Sequence, residues 1–160
     1  MRLIAHRGNV NGPNPLRENS LDYIDQAIDL GYDVEIDIRH NSDEQKLYLG
    51  HDYTQYEVSI LWLVRRKDKL WIHCKDLNSL KLFSNNLVEF NYFWHQNDDF
   101  TLTSGGYIWT YPGKPHTSKS VVVMPETSDG LKFYENEKLI DSNDYSPFYA
   151  ICSDYVGRIK

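Results

Sequence analysis

The sequence predicts an α/β domain, specifically a compact, irregular TIM-like (β/α)8 barrel in which several helices are shortened or missing. Three observations carry this expectation. Apolar runs with strand character alternate with helical or turn-rich segments from one end of the chain to the other. Eight such strand candidates are present. The 160 residues nevertheless fall well short of the about 250 that a full barrel of this type takes, so some helices must be reduced to loops. With 41% hydrophobic residues the chain has the content of one core, and residues 1–160 read as a single domain.

Each element follows from local pattern. Residues 2–7 form the first strand, broken by Gly8 and followed by a polar loop holding Pro13 and Pro15. Asn19 or Ser20 is placed to cap a helix whose Leu21, Ile24, Ala27 and Ile28 share one face, and Gly31 is placed to end it. Residues 33–39 alternate strictly: Val34, Ile36 and Ile38 point one way, and Asp33, Glu35, Asp37 and Arg39 the other. Residues 47–51 form a short apolar run ending in His51-Asp52, and 58–64 read as a weak helix. Residues 69–75 alternate again, with Trp71, His73 and Lys75 on one face. A helix is expected over 77–87, with Leu77, Leu80 and Phe83 or Leu87 inward. Strands follow at 92–95, 107–111, 121–124 and 149–152, while 97–104 and 112–120 are too short or too rich in breakers for crossover helices.

Charge and composition narrow the function classes. The net charge is -6, with no run of Lys or Arg long enough to track nucleic acid or an anionic membrane, so any phosphate must be held by a local site. Cys74 and Cys152 lie far apart in apolar stretches and read as buried thiols, not a zinc cluster or a disulfide framework. The chain opens without a signal-like segment and has no apolar stretch of roughly eighteen residues. A cytoplasmic protein without stable membrane insertion is therefore expected. Missing helices would leave strand faces for a homo-oligomer to cover.

Glu35 and Asp37, two apart on a strand, place both carboxylates on one face within reach of one hard divalent cation. Other reactive groups stand at neighbouring strand ends: His6-Arg7-Gly8, His51-Asp52, and His73 with Lys75. The C-terminal ends of parallel strands converge, so these groups can meet around one ligand. A phosphodiester needs one group to take a proton from the attacking hydroxyl and another to protonate the leaving oxygen, and two histidines suit both tasks. A cation would neutralise the non-bridging oxygens, and Arg7 and Lys75 would add fixed positive charge. Trp94, Trp109 and Tyr111 are candidates to wall a cleft, whereas His95 and His116 read as surface or loop residues.

The ordered set Ile4-Ala5-His6-Arg7-Gly8, Arg17-Glu18-Asn19-Ser20, Val34-Glu35-Ile36-Asp37, Gly50-His51-Asp52 and Lys75 resembles the glycerophosphodiester phosphodiesterase family, within the phosphatidylinositol-specific phospholipase C-like superfamily. The resemblance covers about the first half of the chain. It implies a barrel, a divalent cation (Ca2+ or Mg2+) and hydrolysis of a small phosphodiester to an alcohol and a phosphomonoester. By position it implies His6 and His51 as the acid/base pair, Arg7 as a phosphate contact, Glu35 and Asp37 as metal ligands, and Glu18 and Asp52 as supporting residues. Three departures stand out. His73 occupies the position of the family's third metal-binding glutamate, which would soften the site toward Mn2+ or Zn2+, or leave the vacancy to water, Glu126 or Asp154. Only residues 53–70 separate His51-Asp52 from the next motif strand, so the family's larger insertion is absent and the site would be open. Ser20 stands where threonine is common. The alternative expectation is a catalytically silent barrel that binds a phosphorylated or sugar ligand, or a protein partner, in the same pocket.

Overall fold

Alternating strands have two faces to bury, and the chain buries both in one strongly curled sheet. The structure, a computed structural model, describes residues 1–85, 88–127 and 147–159. Its elements are β1 (Arg2–His6), α1 (Leu21–Asp29), β2 (Asp33–Asn41), β3 (Lys46–Leu49), β4 (Tyr56–Val58), α2 (Ile60–Arg66), β5 (Leu70–Cys74), α3 (Leu77–Ser84), β6 (Asn91–Phe93), β7 (Phe100–Leu102), β8 (Ile108–Thr110), β9 (Ser120–Val123) and β10 (Ala150–Ser153). The main sheet runs in the order β6-β5-β2-β1-β10-β9-β8-β7. Strands β6 to β8 along that path are mutually parallel and β7 is antiparallel to β8. The β3–β4 hairpin extends antiparallel from the far end of the long strand β2.

This corrects the expected (β/α)8 barrel. The fold is mostly strands: a curled, mixed half-barrel in which three short helices stand among the described residues, not a ring of alternating strands and helices. The reason lies in the second half of the sequence. Between β6 and β9 the chain carries Ser104-Gly105-Gly106 and Pro112-Gly113, which break helices, so the step from β6 to β8 is made by the antiparallel strand β7 instead of a crossover helix. Strands β4 and β7, three residues each, are too short to register as alternation in the sequence. Among the described residues no ladder joins β6 to β7 or β8. That seam is bridged by the Ser104 amide donating to the Tyr92 carbonyl (2.8 Å) and by Phe93 stacked on Trp109, centroids 4.5 Å apart.

The two cores correspond to the two faces. Outside, Val34, Ile36 and Ile38 of β2 pack with Leu70, Ile72 and Cys74 of β5 under Ile24, Ala27, Leu63 and Phe83 of the helices. Each such fully buried aliphatic contributes roughly 1.5–3 kcal/mol, which ties β2 firmly into the sheet. Inside, Ile4, Trp71, Phe93, Trp109, Val121, Val123, Ala150 and Cys152 fill the curl. Trp71 on β5 and Trp109 on β8 are far apart in strand order, yet their rings lie 6.1 Å apart, which measures how far the sheet bends. The α1 face is as expected, with Ser20 at the N-cap. Leu80 and Phe83 of α3 face inward, but Leu77 is 77% exposed, and residues 86 and 87 of the expected helix lie outside the described residues. No helix among the described residues is long and apolar enough to cross a membrane.

Both cysteines are free and buried. Burial pushes the Cys74 thiol up to about 12 and the Cys152 thiol well above its ordinary value, so neither forms thiolate near neutral pH. At pH 8 a thiol reagent is expected to leave both unmodified in the native protein and to modify both in denaturant; rapid native labelling would show that one of these faces opens.

Candidate functional site

Period-two alternation puts the inward residues of β1, β2 and β5 at matched heights. His6 pairs in register with Glu35, and Asp37 with His73. His6 and His73 stand at or near the C-terminal ends of β1 and β5, beside Glu35 and Asp37 within the longer β2, and His6, Arg7, Glu35, His51, His73 and Lys75 line one cleft of about 390 Å3. His95, Gln96, Trp109, Tyr111, Pro112, Val123 and Met124 complete its wall. Of the residues singled out from sequence, Asp37 lies beneath this floor, Glu18 reaches it through Arg7, and Asp52 through His51. Trp109 and Tyr111 stand where a cleft wall was expected; Trp94 is 43% exposed and outside the lining. His95, read as a surface residue, instead borders the site.

Each histidine of the expected acid/base pair carries a carboxylate on the same ring nitrogen. His6 Nδ1–H donates to Asp154 Oδ1 (2.8 Å), and His51 Nδ1–H donates to Asp52 Oδ1 (2.7 Å). Nε2 of each ring is thereby left for proton transfer; for His6 it sits 3.9 Å from Glu35 Oε2. Burial works against the His6 charge, but the bond from Asp154 and then the field of Glu35 raise its pKa above the ordinary value. Asp154 is itself held by the Asn9 amide (2.8 Å), while its backbone N–H donates to Glu126 Oε1 (3.1 Å). Burial raises the pKa of Glu126.

Glu35 and Asp37 are almost fully buried, 2% and 0% exposed. Around Asp37 the compensation is dense. Asn19 Nδ2–H donates to Oδ2 (3.0 Å), Arg7 Nε lies 2.9 Å from the same oxygen, and Lys75 Nζ and His73 Nδ1 lie 3.8 and 3.3 Å from Oδ1. Burial opposes the Asp37 charge, but His73, then Arg7, hold its carboxyl well below the usual carboxylate range. Reciprocally, burial would lower His73, yet bonding to Asp37 and then Glu35 lifts it to about 9. His73 Nε2–H donates to the His95 carbonyl (2.9 Å), and the ring stacks on Phe93. The His95 ring is itself depressed by burial and then by His73.

Whether these residues suit a cation can be tested on unmet hydrogen-bonding capacity. Glu35 Oε2 and Asp37 Oδ1 are buried oxygens without a hydrogen-bond partner. Ligand atoms of Glu35, Asp37 and His73 all lie within 4.8 Å of one another. Two anionic oxygens and an imidazole nitrogen facing a common space fit a divalent ion. Of the two considered as substitutes for a missing ligand, Asp154 is engaged with His6, while Glu126 Oε1 accepts from the Asp154 N–H and its Oε2 is also without a hydrogen-bond partner.

The supporting backbone is strained where it matters. Arg7 and Asn19 are non-glycine residues with positive φ, 53° and 63°, a conformation rare outside Asn and Gly. The turn is locked because Arg7 N–H donates to the Glu35 carbonyl (2.9 Å) and Asn19 N–H to the Arg7 carbonyl (3.1 Å). Asn19 is thus no helix cap: its side chain both donates to Asp37 and accepts from the Asp37 N–H (2.9 Å). His51 is presented similarly. Arg39 Nε–H donates to the Gly50 carbonyl (3.2 Å) and its Nη2–H to the His51 carbonyl. At Gly50, φ is +146° and a Cβ would lie 2.2 Å from the Tyr53 carbonyl, so only glycine fits. Sequence reasoning missed Asn9, Arg39 and His95 as site residues and left Asn19 between a motif position and a helix cap. Arg39 had a signal, since it shares the inward face of β2 with Glu35 and Asp37.

Comparison with known proteins adds no family to this geometry: no family model matches the chain, and no curated protein or solved structure matches it significantly. Asn19→Ala is expected to lower stability by about 2 kcal/mol, through two lost bonds to a buried charge and an alanine at positive φ. Denaturant unfolding checks this; an unchanged midpoint would show that Asp37 does not depend on Asn19.

Proposed function

We propose that the protein is a metal-dependent phosphodiesterase that cleaves a small glycerophosphodiester-like substrate to an alcohol and a phosphomonoester by a two-histidine acid/base mechanism. The observation that carries this reading is the pair of carboxylate-backed histidines, His6 and His51, lining the same cleft as Arg7 and Lys75. The ordered motifs that resemble those of the glycerophosphodiester phosphodiesterase family, which include these same residues, point the same way.

In this reading the phosphate lies against Arg7 and Lys75. One histidine Nε2 takes the proton of the substrate hydroxyl next to the diester as that oxygen attacks phosphorus. The other histidine, protonated, gives its proton to the departing alcohol oxygen, leaving a cyclic phosphate. Water then opens the ring with the two roles exchanged, so both histidines return to their starting states. Asp154 and Asp52 hold each ring in the tautomer with Nδ1–H and stabilise the imidazolium as it forms. Glu18 and Asp37 fix the Arg7 guanidinium. A divalent ion held by Glu35, Asp37 and His73 would supply positive charge to the non-bridging phosphate oxygens.

A second reading, a silent binding module for a phosphorylated or sugar ligand, draws on one observation. His73 lies between the two carboxylates and as an imidazolium would balance them without an ion. It gives no reason for carboxylates behind both His6 and His51, and we rank it second.

Hydrolysis of a chromogenic phosphodiester, after chelation and add-back of single ions, tests the first reading. Turnover is expected to require an ion, and His6→Ala or His51→Ala is expected to lower kcat by about 10²–10⁴-fold with circular dichroism and ion binding retained. Wild-type turnover in both variants would overturn the acid/base assignment, and a folded protein without turnover on chromogenic and natural diesters would favour the binding module.

A further inference from the structure

Resting on the phosphodiesterase reading, we propose that the Glu35–Asp37–His73 cluster selects a borderline transition ion, Zn2+ ahead of Mn2+, over the hard ions Mg2+ and Ca2+. Asp37 Oδ2 already receives Asn19 and faces Arg7 Nε, which leaves Oδ1, faced by His73 Nδ1 and Lys75 Nζ at 3.3 and 3.8 Å but without a hydrogen-bond partner, as the oxygen of that carboxylate open to an ion. Glu35 Oε2 is likewise free, and both residues are more than nine-tenths buried. The third donor is nitrogen. Because His73 Nε2–H is committed to the His95 carbonyl at 2.9 Å, Nδ1 is the ring nitrogen that faces the carboxylates, 3.6 Å from Glu35 Oε1 and 3.3 Å from Asp37 Oδ1, and an ion bound there would take the place of its proton.

That arrangement is how metal-binding histidines are usually oriented: the nitrogen away from the metal donates to a backbone carbonyl, which fixes the tautomer and raises ligand basicity. Stacking on Phe93, with 12° between the planes, removes the remaining rotational freedom of the ring. The donor set is therefore two oxygens and one nitrogen, with the cleft side left for solvent or substrate. Ca2+ seeks about six to eight oxygens and Mg2+ a near-octahedral oxygen shell that gives up water reluctantly. Imidazole suits Zn2+ and its neighbours, and the affinity order for a given site rises from Mn2+ to Zn2+. Arg7 and Lys75 repel every divalent ion alike, so they lower absolute affinity without changing this order.

Calorimetric titration of the chelator-stripped full chain with Zn2+, Mn2+, Mg2+ and Ca2+ tests the proposal, with Glu35→Gln defining which binding belongs to the cluster. Zn2+ is expected to bind at least roughly tenfold more tightly than Mg2+ or Ca2+, with Mn2+ between. His73→Glu, which makes the donor set all oxygen, is expected to erase or reverse that preference. His73→Gln serves where the glutamate variant fails to fold. In that variant the imidazole-nitrogen modulation in the pulsed EPR spectrum of bound Mn2+ should vanish. Equal affinities in the wild type, or a preference unchanged by both His73 variants, would overturn the proposal and leave the phosphodiesterase reading standing if diesters are still cleaved. The expected preference without turnover on any diester would support the metal assignment and remove the reading. Titrations unaltered by Glu35→Gln for every ion would overturn the metal assignment at this cluster.

Discussion

Two carboxylates buried in the middle of a sheet dominate the design of this chain. Taking Glu35 and Asp37 out of water costs several kcal/mol each unless charge and hydrogen bonds return nearly all of it. The compensating groups cannot come from β2 itself, whose other face is aliphatic. They come from its two neighbours: Arg7 follows β1, and His73 and Lys75 lie on or just after β5. Placing β2 between β1 and β5 in parallel register is therefore an electrostatic requirement as much as a hydrophobic one. Any slip by one residue would turn Val34, Ile36 and Ile38 into the cleft and both carboxylates into the helix layer.

The same requirement explains the unusual backbone. Arg7 can reach Asp37 because the chain turns left-handed immediately after His6, and Asn19 closes that turn by bonding both the side chain and the N–H of Asp37. The strain is offset partly by backbone bonds that lock the turn and partly by contacts of Asn19 and Arg7 with the Asp37 carboxylate, so local geometry and site charge are linked. On the other side, Arg39 extends the inward face of β2 and grips the carbonyls of Gly50 and His51. One strand thus supplies both buried carboxylates and anchors the segment that carries the second histidine.

Much of the site was legible in the sequence, because period-two alternation survives any folding detail: once Glu35, Asp37 and Arg39 share a face, so do their roles. The strand ends at His6, His73 and Lys75 were legible for the same reason. The closure of the sheet was not. It depends on β7, too short to show alternation, and on the contact of Phe93 with Trp109 across a seam that no ladder spans. Nor was the involvement of His95, whose backbone carbonyl, not its ring, receives His73; main-chain acceptors leave no trace in residue identity. Asn19 was visible but ambiguous, since a residue just before a helix suits capping equally well.

A ring of helices is not needed to position such a site. What fixes the reactive ends is the inner packing beneath them, and here Trp71, Phe93 and Trp109 fill that space with large rings in mutual contact. Bulky aromatics let the inner core form over few residues, so the second half of the sheet can be joined by loops where helices would otherwise cover it. The consequence is an asymmetric support. The first half, packed under α1, α2 and α3, carries His6, Glu35, Asp37, His73 and Lys75, the residues whose charges compensate one another only while their relative positions hold. The second half contributes mainly walls, Trp109, Tyr111, Val123 and Met124, where tolerance is wider because these side chains carry no charge that must be matched. Rigidity is concentrated where the buried charges require it, and the economy of the chain lies in the wall.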